Sequence, residues 1–236
     1  MSADLGAAPP PRPGLLRRFA ARIVGHALVL IARFITAVRA DWRGLEPVPR
    51  QRVYYANHTS NADLPMLWAV MPAAVRRQVR PVAAADYWLQ NPIRAFVGPE
   101  VFNAVLVDRR PDERTEDPME NILEALDDGA SLIIFPEGVR NRTKDPLLPF
   151  KAGLYNIATA RPDVDLVPAW IANLNEIMPS GEVIPLPLIC KVTFGAPLHV
   201  VADEDKSAFL SRAADALVAL KPASSTDTRP APQVET

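Results

Sequence analysis

At 236 residues and 49% hydrophobic, the chain can bury one substantial core, and a single domain with ragged ends is expected. A net charge of −1, with no basic run interleaved with aromatics, argues against a nucleic-acid binder. The one cysteine, Cys190, rules out an intrachain disulfide and fits a reducing compartment; with three scattered histidines it also leaves a zinc site short of ligands.

The charge is unevenly spread. From Arg12 to Arg52 nine arginines face only Asp41 and Glu46, whereas from Pro111 to Asp128 eight acids face only Arg114. An arginine-rich apolar segment ahead of a near-neutral globule points to an anionic membrane surface as partner, and to a peripheral or monotopic place on the cytoplasmic face.

In chain order, residues 1–13 and 222–236 are proline-rich without apolar periodicity, and read as disordered tails. Residues 14–40 read as a membrane-associating helix. Its apolar run from Ile23 to Val38 is broken by Arg33 and is too short to span, so it is expected to lie in the interface. A long helix packed on the domain is the competing reading, because periodicity does not separate the two. Residues 41–221 then form the main domain. Val53–Ala56, Pro81–Ala85, Val101–Val107, Leu132–Phe135, Leu166–Trp170 and Lys191–Phe194 read as strands. Asp117–Asp128, with Pro118 at its start and Gly129 past its end, reads as a helix, as does Lys206–Leu220. This alternation predicts an α/β fold with a mostly parallel central sheet flanked by helices.

Polar residues after strand ends carry the chemistry in such folds. The first group is Asn57-His58-Thr59-Ser60-Asn61-Ala62-Asp63, in which a carboxylate five residues beyond a histidine can orient it as a base. Alone this spacing is weak, since Ser60 or Asp63 capping a helix would produce it too. Asp108-Arg109 and Pro136 to Arg142 are the other groups, the latter within the block that opens Phe135-Pro136-Glu137-Gly138-Val139-Arg140; Phe150-Lys151-Ala152-Gly153 and Val167-Pro168-Ala169 follow. No Gly-x-Ser-x-Gly and no glycine-rich phosphate loop is present, which excludes a nucleophile elbow and a nucleotide site.

In this order and spacing the blocks resemble the lysophosphatidate acyltransferase family of glycerolipid acyltransferases, over about Tyr54 to Ala169. The resemblance implies transfer of a fatty acyl group from acyl-CoA or acyl carrier protein to the free hydroxyl of a lysolipid. It favours 1-acyl-glycerol-3-phosphate as acceptor and needs no cofactor. It casts His58 as general base, Asp63 as its orienter, Arg109 and Lys151 as cations for the lysolipid phosphate, and Glu137, Gly138 and Arg140 as a substrate-binding loop. This chain departs from the family pattern at Asn103, where glycine is usual, and at Val139 and Asn141, where hydroxyl residues are usual. The alternatives are another lyso-lipid acceptor, such as a lyso-amino-acid lipid or lysophospholipid, and a non-catalytic lipid-binding protein of the same fold.

Overall fold

The computed structural model describes residues 14–36, 38–108, 117–172 and 190–222. Both expected tails (Pro222 apart) and Arg109 therefore lie outside the described residues. Helix α1 runs Leu15–Thr36 and is followed by β1, Arg39–Trp42, and β2, Arg52–Ala56. Next come α2 (Asp63–Val70), α3 (Ala73–Arg76), β3 (Val79–Ala84), α4 (Ala85–Trp88) and α5 (Pro92–Phe96). A π-helical turn over Val97–Val101 leads to β4 (Val105–Val107), α6 (Pro118–Asp127), β5 (Ser131–Ile134), α7 (Gly153–Ala160) and β6 (Asp165–Ala172). Strand β7 (Lys191–Phe194) and helix α8 (Lys206–Val218) complete the described chain.

The described strands form one sheet in the order β1-β7-β6-β2-β5-β3-β4. Only the β6–β7 pairing is antiparallel. The expected mostly parallel sheet is therefore observed, and the reason lies in β2 and β5. Both are continuous apolar runs that alternate between two cores, so both sheet faces need cover. Tyr54, Ala56 and Ile133 point into one core with α1 and α2, while Val53, Tyr55, Leu132 and Ile134 point into the other with α6, α7 and α8. Asp117 caps α6 by accepting from the Met119 N–H at 2.9 Å, and Gly129 past its end adopts φ +80°.

Two expectations are corrected. The segment Val101–Val107 is a strand only from Val105, because the π turn and a left-handed Asn103 (φ +52°) interrupt it. A left-handed position favours glycine and tolerates asparagine best among other residues, which accounts for this departure from the family pattern. The first helix stops at Thr36 instead of running to residue 40, and Arg39 opens β1, whose Trp42 stacks on Phe194 at 3.8 Å between ring centroids.

One consequence of the topology fixes the site. Neighbouring parallel strands β2 and β5 send their following helices, α2 and α7, to opposite faces of the sheet. The chain after each strand diverges there and leaves a crevice at the carboxyl ends.

Candidate active site

The loop after β2 begins with Asn57, whose side chain prolongs the strand pairing. Its amide donates to the Ile171 carbonyl at 3.0 Å and its carbonyl accepts from the Ile171 N–H at 2.7 Å, both buried. This pins the end of β2 and turns His58 toward the crevice. Asp63 is fully buried at the first position of α2, where the helix dipole favours a carboxylate. Its Oδ2 accepts from His58 Nδ1 at 2.9 Å and from the Thr59 and Ser60 N–H groups at 2.7 Å each. Oδ1 is buried without a partner among the described residues. With Nδ1 donating to the carboxylate, a neutral imidazole presents Nε2 as an acceptor. The imidazole also stacks on Phe135, with centroids 4.3 Å apart.

The loop after β5 supports this one directly. Glu137 is buried, accepting from the His58 N–H through Oε1 and from the Leu148 N–H through Oε2, both at 2.8 Å. Burial raises its pKa above the ordinary value, opposed by those two backbone bonds. With both oxygens accepting from the backbone, Glu137 ties the loop that carries His58 to the segment at Leu148. Asn141 donates its N–H to the His58 carbonyl, and its side chain binds Thr143 and Asp145. Gly138 adopts φ +71°, and a β-carbon there would lie 2.7 Å from Lys151 Nζ. The backbone conformation thus favours glycine, and a β-carbon would also displace the end of the Lys151 side chain.

These loops border a cleft of about 520 Å³. Leu64, Val82, Trp88, Val107, Ile122 and Ile157 contribute to its apolar wall, while His58, Arg140, Arg142 and Lys151 bring polar groups. None of the three cations is paired with a carboxylate among the described residues. The structure thus gathers His58, Gly138, Arg140 and Lys151 around one cleft, with Asp63 and Glu137 behind it. Val139 is half-exposed on its rim, where the family pattern would place a hydroxyl. Asn57, Phe135 and Arg142 lie within the candidate segments, but the sequence assigns none of them a role of its own; the structure gives Asn57 the strand-end bonds to Ile171 and Phe135 the stack on His58.

A family model described as Acyltransferase matches residues 39–172, from β1 to the end of β6. The chain belongs to the acyltransferase family. Among curated proteins, this acyltransferase is 30% identical over 154 residues to "1-acyl-sn-glycerol-3-phosphate acyltransferase BAT2, chloroplastic" of Brassica napus. That alignment covers 61% of this chain and 40% of the relative, so the chain spans well under half of its length. The structure matches the 1-acyl-sn-glycerophosphate (LPA) acyltransferase PlsC of Thermotoga maritima with a TM-score of 0.60. At 17% identity, over 91% of this chain and 83% of that one, the likeness establishes the shared fold.

Proposed function

We propose that this acyltransferase transfers a fatty acyl group from acyl-CoA or acyl carrier protein to the free hydroxyl of 1-acyl-glycerol-3-phosphate, giving phosphatidate. The observation that carries the reading is His58, held through Nδ1 by a buried carboxylate, lining an apolar cleft that also receives three cations. His58 Nε2 takes the proton of the acceptor hydroxyl as its oxygen attacks the thioester carbonyl carbon. The carbon–sulfur bond then breaks, and the thiolate leaves and recovers the proton from the imidazolium. Asp63 stabilises the imidazolium in between, and no acyl-enzyme is needed. Lys151 and Arg140 are suited to hold the acceptor's phosphate, and Arg109, by resemblance, joins them.

The membrane part of the proposal rests on α1. Among the described residues no helix is long and apolar enough to cross a membrane. Yet α1 leaves Leu15, Leu16, Phe19, Ile23 and Leu30 exposed while Ala21 and Val29 pack inward. An apolar stripe bordered by arginines suits a helix lying in the headgroup boundary, on the cytoplasmic face where the acyl donor is expected.

The test is purified protein incubated with a panel of lysolipids and both donors, with products resolved by mass spectrometry. Phosphatidate should dominate, and His58→Ala should lower its rate by roughly two to four orders of magnitude without unfolding the protein. Product from a different lysolipid alone would move the acceptor to the lysophospholipid or lyso-amino-acid class. No product from any of them would remove the catalytic reading.

A further inference from the structure

Away from the cleft, the far end of α2 gathers positive charge that the reaction does not use. The carbonyls at a helix C-terminus carry about half a negative charge and need donors. One arginine would serve. Here the Ala69 carbonyl accepts from both Arg33 Nε at 3.3 Å and Arg76 Nη1 at 3.4 Å, and the Met71 carbonyl accepts from Arg76 Nη1 at 3.1 Å. Arg77 follows immediately and is exposed. No carboxylate among the described residues forms an ion pair with any of the three. Arg76 lies 4.9 Å from the centroid of the Trp68 ring, which fixes its plane. Its pKa is lowered first by burial and then by Arg33 and Arg77, as expected where guanidinium groups crowd without a counter-ion.

We propose that Arg33, Arg76 and Arg77 form a binding site for the phosphate of an anionic membrane phospholipid, separate from the cleft that holds His58. Guanidinium forks match phosphate oxygens, which supplies the chemistry. The neighbourhood selects the source of the phosphate. Arg33 lies one turn beyond Leu30 on α1, and Leu30 belongs to the stripe that leaves Phe19 and Ile23 exposed. A cation at the end of an exposed apolar stripe marks the depth at which headgroups meet acyl chains, a place that soluble phosphate has no reason to prefer. The site rests on the membrane-facing reading of α1 and is independent of the chemistry assigned to His58.

The experiment compares the full chain with Arg77→Gln and with Arg33→Gln/Arg77→Gln on phosphatidylcholine vesicles, with and without phosphatidylglycerol. Arg77 makes no bond to the α2 carbonyls, so its removal spares the helix end. Each lost guanidinium should weaken partition onto phosphatidylglycerol-containing vesicles about fivefold, and the difference should shrink as salt is raised. Turnover on detergent-dispersed lysophosphatidate should stay at the wild-type value. Unchanged partition in the double variant would overturn the site. So would protection of the wild type, but not the variants, from thermal unfolding by inorganic phosphate while vesicle binding is unaffected, since that outcome assigns the cluster to a soluble anion. A wild type that binds vesicles in this arginine-dependent way yet acylates no lysolipid would sink the acyltransferase reaction and leave the site standing.

Discussion

Replacing Asp63 by asparagine separates the charge of the orienting group from its shape. Three donors converge on Oδ2, and two of them are the backbone N–H groups of Thr59 and Ser60. Those two hold the carboxamide oxygen where Oδ2 stood, so the new amide nitrogen falls at the Oδ1 position, which has no partner among the described residues. The imidazole therefore keeps its Nδ1–H tautomer, and what is lost is the negative charge. In the ground state, three charge-assisted bonds become neutral ones, a loss of about 1 kcal/mol each and roughly 3 kcal/mol in stability. In the transition state, a unit charge about 4 Å from the imidazolium, at an effective dielectric of ~20, is worth ~4 kcal/mol. That corresponds to a fall in kcat of about 10³. The assay is steady-state kinetics on lysophosphatidate with a thermal melt of each variant alongside. A kcat within tenfold of wild type, from a protein that melts as calculated, would refute the role given to the Asp63 charge.

Gly138→Ala forces a β-carbon into a left-handed residue and against Lys151, so it should cost about 1–2 kcal/mol of stability and raise the KM for lysophosphatidate more than that for the acyl donor; equal fold-increases in the two KM values would detach Lys151 from the acceptor. Glu204 is held by Arg212 through two short bonds, 2.7 and 2.6 Å, which lower its pKa from 4.5 to about 2. A depressed carboxylate stabilises the fold above its unfolded pKa and loses that contribution as pH falls, so denaturant melts should show wild type approaching Glu204→Gln between about pH 4.5 and 2. A constant gap across that window would contradict the assignment. Removing residues 1–36, which spares β1, should weaken the preference for anionic over neutral vesicles strongly, Arg76 and Arg77 being left behind; co-sedimentation equal to that of the full chain would mean α1 is merely packed on the domain.

The parts of the site carried by local spacing were legible in the sequence. His58 and Asp63 lie five residues apart across a strand-to-helix turn, and geometry closes that distance almost by itself. The resemblance places Glu137 in a substrate-binding loop, but its bonds to the backbone N–H groups of His58 and Leu148, 79 and 11 residues away, are ones that no pattern of side chains advertises. Strand β1 is hidden because Arg39-Ala40-Asp41-Trp42 alternates over only four residues and adjoins the long apolar run of α1; it forms through edge pairing with β7 and the stack of Trp42 on Phe194. The apolar run before β4 looked like strand throughout because the signal that breaks it, a left-handed backbone at Asn103, is conformational. Trp88 had no motif around it; the fold alone brings it to the cleft beside His58.

The stitching of the two strand-end loops also bears on when the protein becomes competent during folding. His58 is tied through its own N–H to Glu137 and through its carbonyl to Asn141, so the loop bearing His58 is completed by a segment about 80 residues downstream. Closing so long a loop carries an entropy cost that local helix formation does not offset, and such non-local contacts form late. Refolding chains should therefore regain helical circular dichroism before they regain activity. A ribosome-bound chain that has not yet released β5 and the Glu137 loop carries His58 and Asp63 without the frame that holds them.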